Sequence, residues 1–277
     1  MRFFKNIVYK GLTGLLSPRY GKRRYQPFFE ALYKMSLTGM NIGGGTHVAD
    51  SGELNGLYYI KSKLQSSKGS RNWTLFDVGA NIGDYSLLLN EVFGARASIY
   101  SFEPSAKTYR KLTENTAATD KISRYNFALG DKDARTILYS DIDESGLASV
   151  YKRQLDHFNI EMSQSEEIEI KTLDSFCTDK GISHIDFLKL DVEGHEIKVL
   201  DGAKAMLNAG SIDFIQFEFG GTDIDSRTFF RDFYNLLNGQ YQIYRIVRDG
   251  VFPIRKYDEL YESFLPTNYL AERRKFV

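Results

Sequence analysis

Residues 74–84 read Thr-Leu-Phe-Asp-Val-Gly-Ala-Asn-Ile-Gly-Asp, and the apolar run 97–102 ends at Glu103. Thr74-Leu75-Phe76 has the pattern of a short buried strand, and Asp77 stands at its carboxyl end. Gly79 and Gly83 let the backbone turn tightly and approach a ligand closely. A helical pattern follows from Tyr85 to Phe93, then a second strand from Ala97 to Phe102. A carboxylate just beyond the second strand of a doubly wound sheet is placed to hydrogen-bond a ribose diol. The segment therefore reads as a site for a nucleoside-containing cofactor.

A dinucleotide loop requires Gly-x-Gly-x-x-Gly around a pyrophosphate. Here the spacing is Asp77-x-Gly79-x-x-x-Gly83, and the leading acid would repel a pyrophosphate. It suits a ligand with a cationic end and no phosphate, such as S-adenosylmethionine. The segment resembles motif I of class I methyltransferases. Three more segments follow in order: Asn126-Phe-Ala-Leu-Gly-Asp131, Lys189-Leu-Asp-Val-Glu-Gly-His-Glu196 and Gln216-Phe-Glu-Phe219. Together the four resemble the FkbM family of S-adenosylmethionine-dependent O-methyltransferases, over roughly residues 71 to 270.

The resemblance implies an α/β fold with a doubly wound, seven-stranded, mostly parallel sheet of order 3-2-1-4-5-7-6, the seventh strand antiparallel. It also implies a hydroxyl of a sugar, glycan or glycosylated metabolite as acceptor. The alternatives are a nicotinamide-dependent oxidoreductase and a non-catalytic nucleoside-binding module. The first lacks the Gly-x-Gly-x-x-Gly loop, and the acid-rich segment 191–196 argues against the second.

The 277 residues allow one sizeable domain with a decorated end. A formal net charge of zero implies no general affinity for nucleic acid. The single Cys177 fits a reducing compartment, so a cytoplasmic location is expected. No apolar run reaches the ~20 residues of a spanning helix. Met1 to Phe29 carries seven Lys or Arg and no acid, with Phe3, Phe4, Ile7, Val8, Leu12, Leu15 and Leu16 interleaved. Lys5, Asn6 and Lys10 interrupt the apolar core that a signal peptide would need. Two readings stand for residues 1–24: a helix packed on the catalytic domain, which is favoured, or docking on an anionic membrane surface from its inner face.

Residues 1–70 read as an N-terminal region, helical to about Leu37, then Gly-rich from Gly39 to Gly56, with His47 there taken as structural. Residues 71–277 read as the cofactor-binding domain. Strands are expected at 74–78, 97–102, 122–127, 185–190, 212–219, 241–247 and near 263–271, and helices at 84–93, 105–118, 195–207 and 226–238. An insertion of about 135–174 exceeds a minimal fold. Thr136 to Asp141 and Glu167 to Thr172 alternate as a hairpin would, either as a flap at the ligand edge or as a plain surface excursion.

Ligands of open α/β sheets bind outside the carboxyl ends of the strands. Asp77, Gly79, Ala80, Asn81 and Gly83 are expected to hold the methionine portion, and Glu103 the ribose. Asn126 and Ala128 are expected to flank adenine. Asp191, Glu193 and His195 are expected to line the active site, with Asp191 nearest the sulfonium, while Glu196 caps the following helix. Methyl transfer needs alignment, worth roughly 7–11 kcal/mol, and a base or metal for the acceptor hydroxyl. His195 is the leading base, with Asp191 and Glu193 as alternatives or as its orienting partners. Glu218 would face the acceptor, and Asp191 with Glu218 is a weak candidate pair for a divalent cation.

Overall fold

A computed structural model of the chain describes residues 10–44, 51–66 and 71–274. Residues 1–9 of the basic segment, and His47, lie outside the described residues. The chain divides into two compact units, residues 1–42 and 43–277. The first contains a helical stretch over 10–16 and helix α1 (Gln26–Gly39), with single turns of 3-10 helix at Ser17–Arg19 and Arg23–Tyr25.

The second unit carries every strand among the described residues: β1 (Trp73–Val78), β2 (Ala97–Phe102), β3 (Ile122–Tyr125), β4 (Ala128–Leu129), β5 (Ala134–Ser140), β6 (Gln164–Lys171), β7 (Ile185–Leu190), β8 (Ile212–Phe219), β9 (Tyr241–Val247), β10 (Gly250–Ile254) and β11 (Thr267–Arg273). Its helices are α2 (Glu53–Ser66), α3 (Asp84–Phe93), α4 (Ala106–Asn115), α5 (Leu173–Lys180), α6 (Glu196–Asp201), α7 (Lys204–Asn208), α8 (Thr222–Ser226) and α9 (Phe230–Leu237).

The main sheet has eight strands in the order β10-β9-β11-β8-β7-β1-β2-β3. Seven of them reproduce the implied order, with β11 antiparallel to β8 and β9. The count of seven is corrected by β10, which returns antiparallel along β9 and adds an edge. Gly250, at φ +143°, makes that tight return, a backbone state other residues rarely adopt. The order turns at β1, where β2 leaves to one side and β7 pairs on the other. That switch point leaves a crevice at the carboxyl ends.

Alternation along β1 sends side chains to two cores. Leu75 packs with Leu57, Ile60 and Leu64 of α2 and Leu89 of α3. Phe76 and Val78 join the other face with Phe176, Val199 and Phe217. Helix α2 thus packs on the sheet. Helix α3 begins at Gly83, whose φ of +99° sets the N-cap, and is followed by Gly94 at φ +65°.

The expected helix over 195–207 is interrupted. A Cβ on Gly202 would lie 1.9 Å from the Gly130 carbonyl oxygen, so the chain presses against that loop and the helix divides into α6 and α7. The expected strand 122–127 is shortened to β3, and β4 follows it. β4 leaves the main sheet to pair with β6, and β5 and β6 form the antiparallel hairpin expected of the insertion.

Phe217 is fully buried at the centre of β8, stacked 4.4 Å from Phe233 and 5.5 Å from Tyr269. Phe217→Ala is expected to cost ~3–5 kcal/mol, from lost burial plus the cavity left behind. Urea unfolding followed by far-ultraviolet circular dichroism checks this; an unchanged midpoint would contradict it.

Candidate active site

Four strands contribute one polar row on the face covered by α2 and α3. Ser101, Asp77, Lys189 and Gln216 are neighbours in register across β2, β1, β7 and β8. The Ser86 hydroxyl donates to Asp77 Oδ2 at 2.6 Å and lies 2.7 Å from Ser101 Oγ. Lys189 Nζ lies 3.6 Å from Asp77 Oδ1, 3.1 Å from Asp191 Oδ2 and 4.4 Å from the centre of the Tyr85 ring. Gln216 donates to Glu53 at 2.7 Å and accepts from the Tyr85 hydroxyl at 2.9 Å. Burial pulls the Lys189 ammonium down, but Asp191, Asp77 and Glu53 outweigh it and hold it above its ordinary value.

Above this row, at the carboxyl ends of β1, β2 and β7, lies a cavity lined by Gly79, Asn81, Glu103, Ala128, Asp191, Glu193 and His195. Gly79 is required there. Its φ is +82°, and a Cβ would sit 1.8 Å from the Asp191 carbonyl oxygen. Glu103 accepts backbone N–H groups from Asn81 at 3.0 Å and Ser105 at 2.9 Å, one on each oxygen. Each oxygen keeps a second lone pair for a ligand. Burial pushes its carboxyl up to about 7. Asn81 is held in the left-handed region at φ +47°, and its side-chain oxygen is buried without a hydrogen-bond partner.

The structure differs from the sequence expectations at several positions. Asp77 is wholly buried in the polar row and is absent from the cavity wall. Asn126 is exposed; its amide donates to the Glu103 and Pro104 carbonyls at 2.9 Å each, bracing the loop beside the cavity. Ala80 is buried, its N–H tied to the Phe102 carbonyl at 2.9 Å. Gly83 makes room for Leu112 and Thr116 of the α4 region.

His195 lines the cavity just described. Its Nδ1 is 3.2 Å from the Tyr151 hydroxyl, and burial pulls the imidazole down to about 4. Glu196 accepts the Val192 N–H at 2.8 Å, which ties down the preceding turn; no side chain caps the helix that it begins.

A second cavity adjoins the first and shares Gly146, Asp191 and Glu193 with it. Glu218, Arg153, Asp225, Phe158 and Phe264 complete its acidic and aromatic wall. His195 lines the first cavity and not the second. Burial, followed by the charge of Asp191, raises Glu193 and Glu218 well above the usual carboxylate range.

The inserted hairpin forms the roof. The Ser149 hydroxyl donates to the Glu193 carbonyl at 2.7 Å, and Arg153 pairs with Glu193 at 2.7 Å and Asp225 at 3.6 Å. These contacts select the flap reading over a surface excursion. They also fix Glu193 at φ +53°, a costly conformation for a non-glycine residue. Sequence reasoning missed Arg153 altogether and gave Lys189, although it opens the quoted segment 189–196, no role of its own. One sits in an irregular polar loop; the other interrupts an apolar strand.

Among the described residues, the group close enough to share a metal is His184, Asp186 and Asp213, at the amino ends of β7 and β8. Arg71 already binds Asp186, and Arg273 and His184 bind Asp213. Asp191 and Glu218 belong to no such group.

The cavity fits S-adenosylmethionine by its donor set. Asp191, Glu193 and Glu103 line it, and among the described residues no lysine or arginine does, so a pyrophosphate would find no counter-charge.

The methyltransferase FkbM domain model matches residues 77–246. The chain is 23% identical over 142 residues to the 2-O-methyltransferase NoeI of Sinorhizobium fredii, covering 48% of this chain and 58% of that protein. It is 29% identical over 158 residues to the hexuronic acid methyltransferase AglP of Haloferax volcanii, covering 55% and 58%. A methyltransferase FkbM structure from Methylobacillus flagellatus aligns with a TM-score of 0.43 at 17% identity, covering 75% of this chain and 45% of that one.

Burial pushes Glu103 and Asp223 up to about 7 and Glu196 to about 8. Their unfolded forms ionise near pH ~4, so this contribution to stability is complete below that value and is lost as pH rises through the folded values. The ligand-free protein should therefore melt lower at about pH 8.5 than at about pH 6, and Glu103→Gln should reduce the difference. Scanning calorimetry checks this; a melting temperature that rises over the interval would contradict it.

Proposed function

Because the chain belongs to the FkbM family of S-adenosylmethionine-dependent methyltransferases, we propose that it methylates a hydroxyl of a sugar ring, free or within a glycan or glycosylated metabolite. The observation that carries this reading is the pair of contiguous cavities, one suited to the nucleoside and one acidic and aromatic, meeting at Asp191 and Glu193. Two relatives named as a 2-O-methyltransferase and a hexuronic acid methyltransferase support the acceptor class.

In this reading Glu103 takes the ribose hydroxyls, Ala128 and His195 flank adenine, and Gly79 with Asn81 receives the methionine end. The bound cofactor supplies an electrophilic methyl group on a sulfonium. Asp191, paired with Lys189 at 3.1 Å, faces that positive charge and orients the acceptor hydroxyl. Glu218, which lines the second cavity, takes the hydroxyl proton when it is ionised. Glu193, paired to Arg153, holds the roof closed and excludes water.

The basic segment 1–24 keeps both of its earlier readings. Among the described residues no helix is long and apolar enough to cross a membrane. Exposed Leu12 and Leu15 suit contact with an anionic surface.

Two variants separate binding from chemistry. Hydrogen bonds to a charged group contribute ~1.5–3 kcal/mol, so Glu103→Ala should weaken S-adenosylhomocysteine binding about ten- to a hundredfold in calorimetric titration. Glu218→Gln should leave that affinity near normal and lower turnover by ~10²–10⁴. Full turnover in Glu218→Gln would transfer the base role to Asp191, and unchanged affinity in Glu103→Ala would leave Glu103 only a loop brace. Turnover is expected to survive EDTA; a loss restored by Mg²⁺ would return Asp191 and Glu218 to metal ligation.

A further inference from the structure

We infer that the acceptor cleft selects an uncharged or ammonium-bearing sugar ring and rejects uronates, sugar phosphates and sugar sulfates. The inference rests on the methyltransferase reading of the two cavities and narrows its substrate class.

Asp191, Glu193, Glu218 and Asp225 all line the second cavity. The cation facing them is Arg153, the one lysine or arginine among its described lining residues. Its side chain is only 8% exposed, and it is held between Glu193 and Asp225. A buried guanidinium flanked by two carboxylates is already neutralised by them and offers little net positive charge to an incoming anion. Burial raises Glu193 and Glu218, so some of the negative charge is relieved by protons. Proton uptake adds no lysine or arginine to receive a sugar carboxylate. An anionic ring would meet like charge in a half-buried site, where repulsion is poorly screened.

Hydroxyl groups are the complementary partners, because a carboxylate accepts and a sugar hydroxyl donates. The apolar side of such a ring has a fixed platform. Phe264 lines the cleft in the left-handed region at φ +50°, costly for an aromatic residue, and packs 5.2 Å from Phe219 and 6.0 Å from Phe229. Phe158, 65% exposed, stands on the inserted hairpin side of the same cleft and packs 4.2 Å from His157. Acid groups around a rigid aromatic face describe a site for a polyol rather than for an anion.

Saturation-transfer NMR on the full chain with S-adenosylhomocysteine bound tests this, using methyl glucoside, glucosamine and glucuronate as probes. The first two should give signals that Phe264→Ala reduces, and glucuronate should bind about tenfold more weakly or worse. Asp225→Asn with Glu218→Gln should narrow that gap. Glucuronate binding as well as methyl glucoside overturns the inference. No Phe264-dependent signal from any sugar also overturns it; S-adenosylhomocysteine affinity, measured on the same sample, reports separately on the methyltransferase reading.

Discussion

The site depends on one buried ammonium. Lys189 pairs in register with Asp77 across β7 and β1, reaches Asp191 beyond the strand end, and rests over the Tyr85 ring. Through Asp191 it ties the sheet interior to the cavity wall. A charge taken out of water is tolerable only when it is paired and its partners are themselves bonded. Ser86 secures Asp77, and Gln216 and Ser51 secure Glu53, whose charge helps to hold Lys189 ionised. Remove one member and a neighbour is left charged and dry. The row therefore fixes the spacing of the β1 and β7 ends, which is the spacing of the cavity.

The hairpin of β5 and β6 completes what the sheet begins. A bare switch point would be an open crevice. Here Ser149, Tyr151 and Arg153 descend onto Glu193 and His195, and Leu138 and Gly146 help wall the cofactor cavity. The same Arg153 that closes the roof neutralises part of the acid cluster beneath it. Closure and electrostatics are thus set by one side chain. A site kept acidic favours a sulfonium donor and a hydroxyl-rich acceptor together, since both meet carboxylates favourably.

Much of this was legible in the chain because its signals are local. Motif I, the acid after the second strand and the acid-rich turn after the fourth each declare themselves within a few residues. Alternation revealed the hairpin, and the resemblance supplied the strand order. What stayed hidden was long-range. Nothing near Asp77 in the sequence announces its buried partners Ser86 and Lys189. His195 shares a short segment and the first cavity with Asp191, yet across the left-handed turn at Glu193 and Gly194 it does not reach the second cavity, which Asp191 also lines. Helix α2 follows a Gly-rich stretch and has a mixed polar surface, so its contact with the sheet could not be read from periodicity.

The most direct test is a crystal structure of the chain with S-adenosylhomocysteine. The account predicts both ribose hydroxyls on the Glu103 carboxylate, the methionine end over Gly79 and Asn81, and the sulfur facing the junction at Asp191 and Glu193. A ligand whose sulfur points away from that junction, or one seated outside the cavity lined by Glu103, would contradict it.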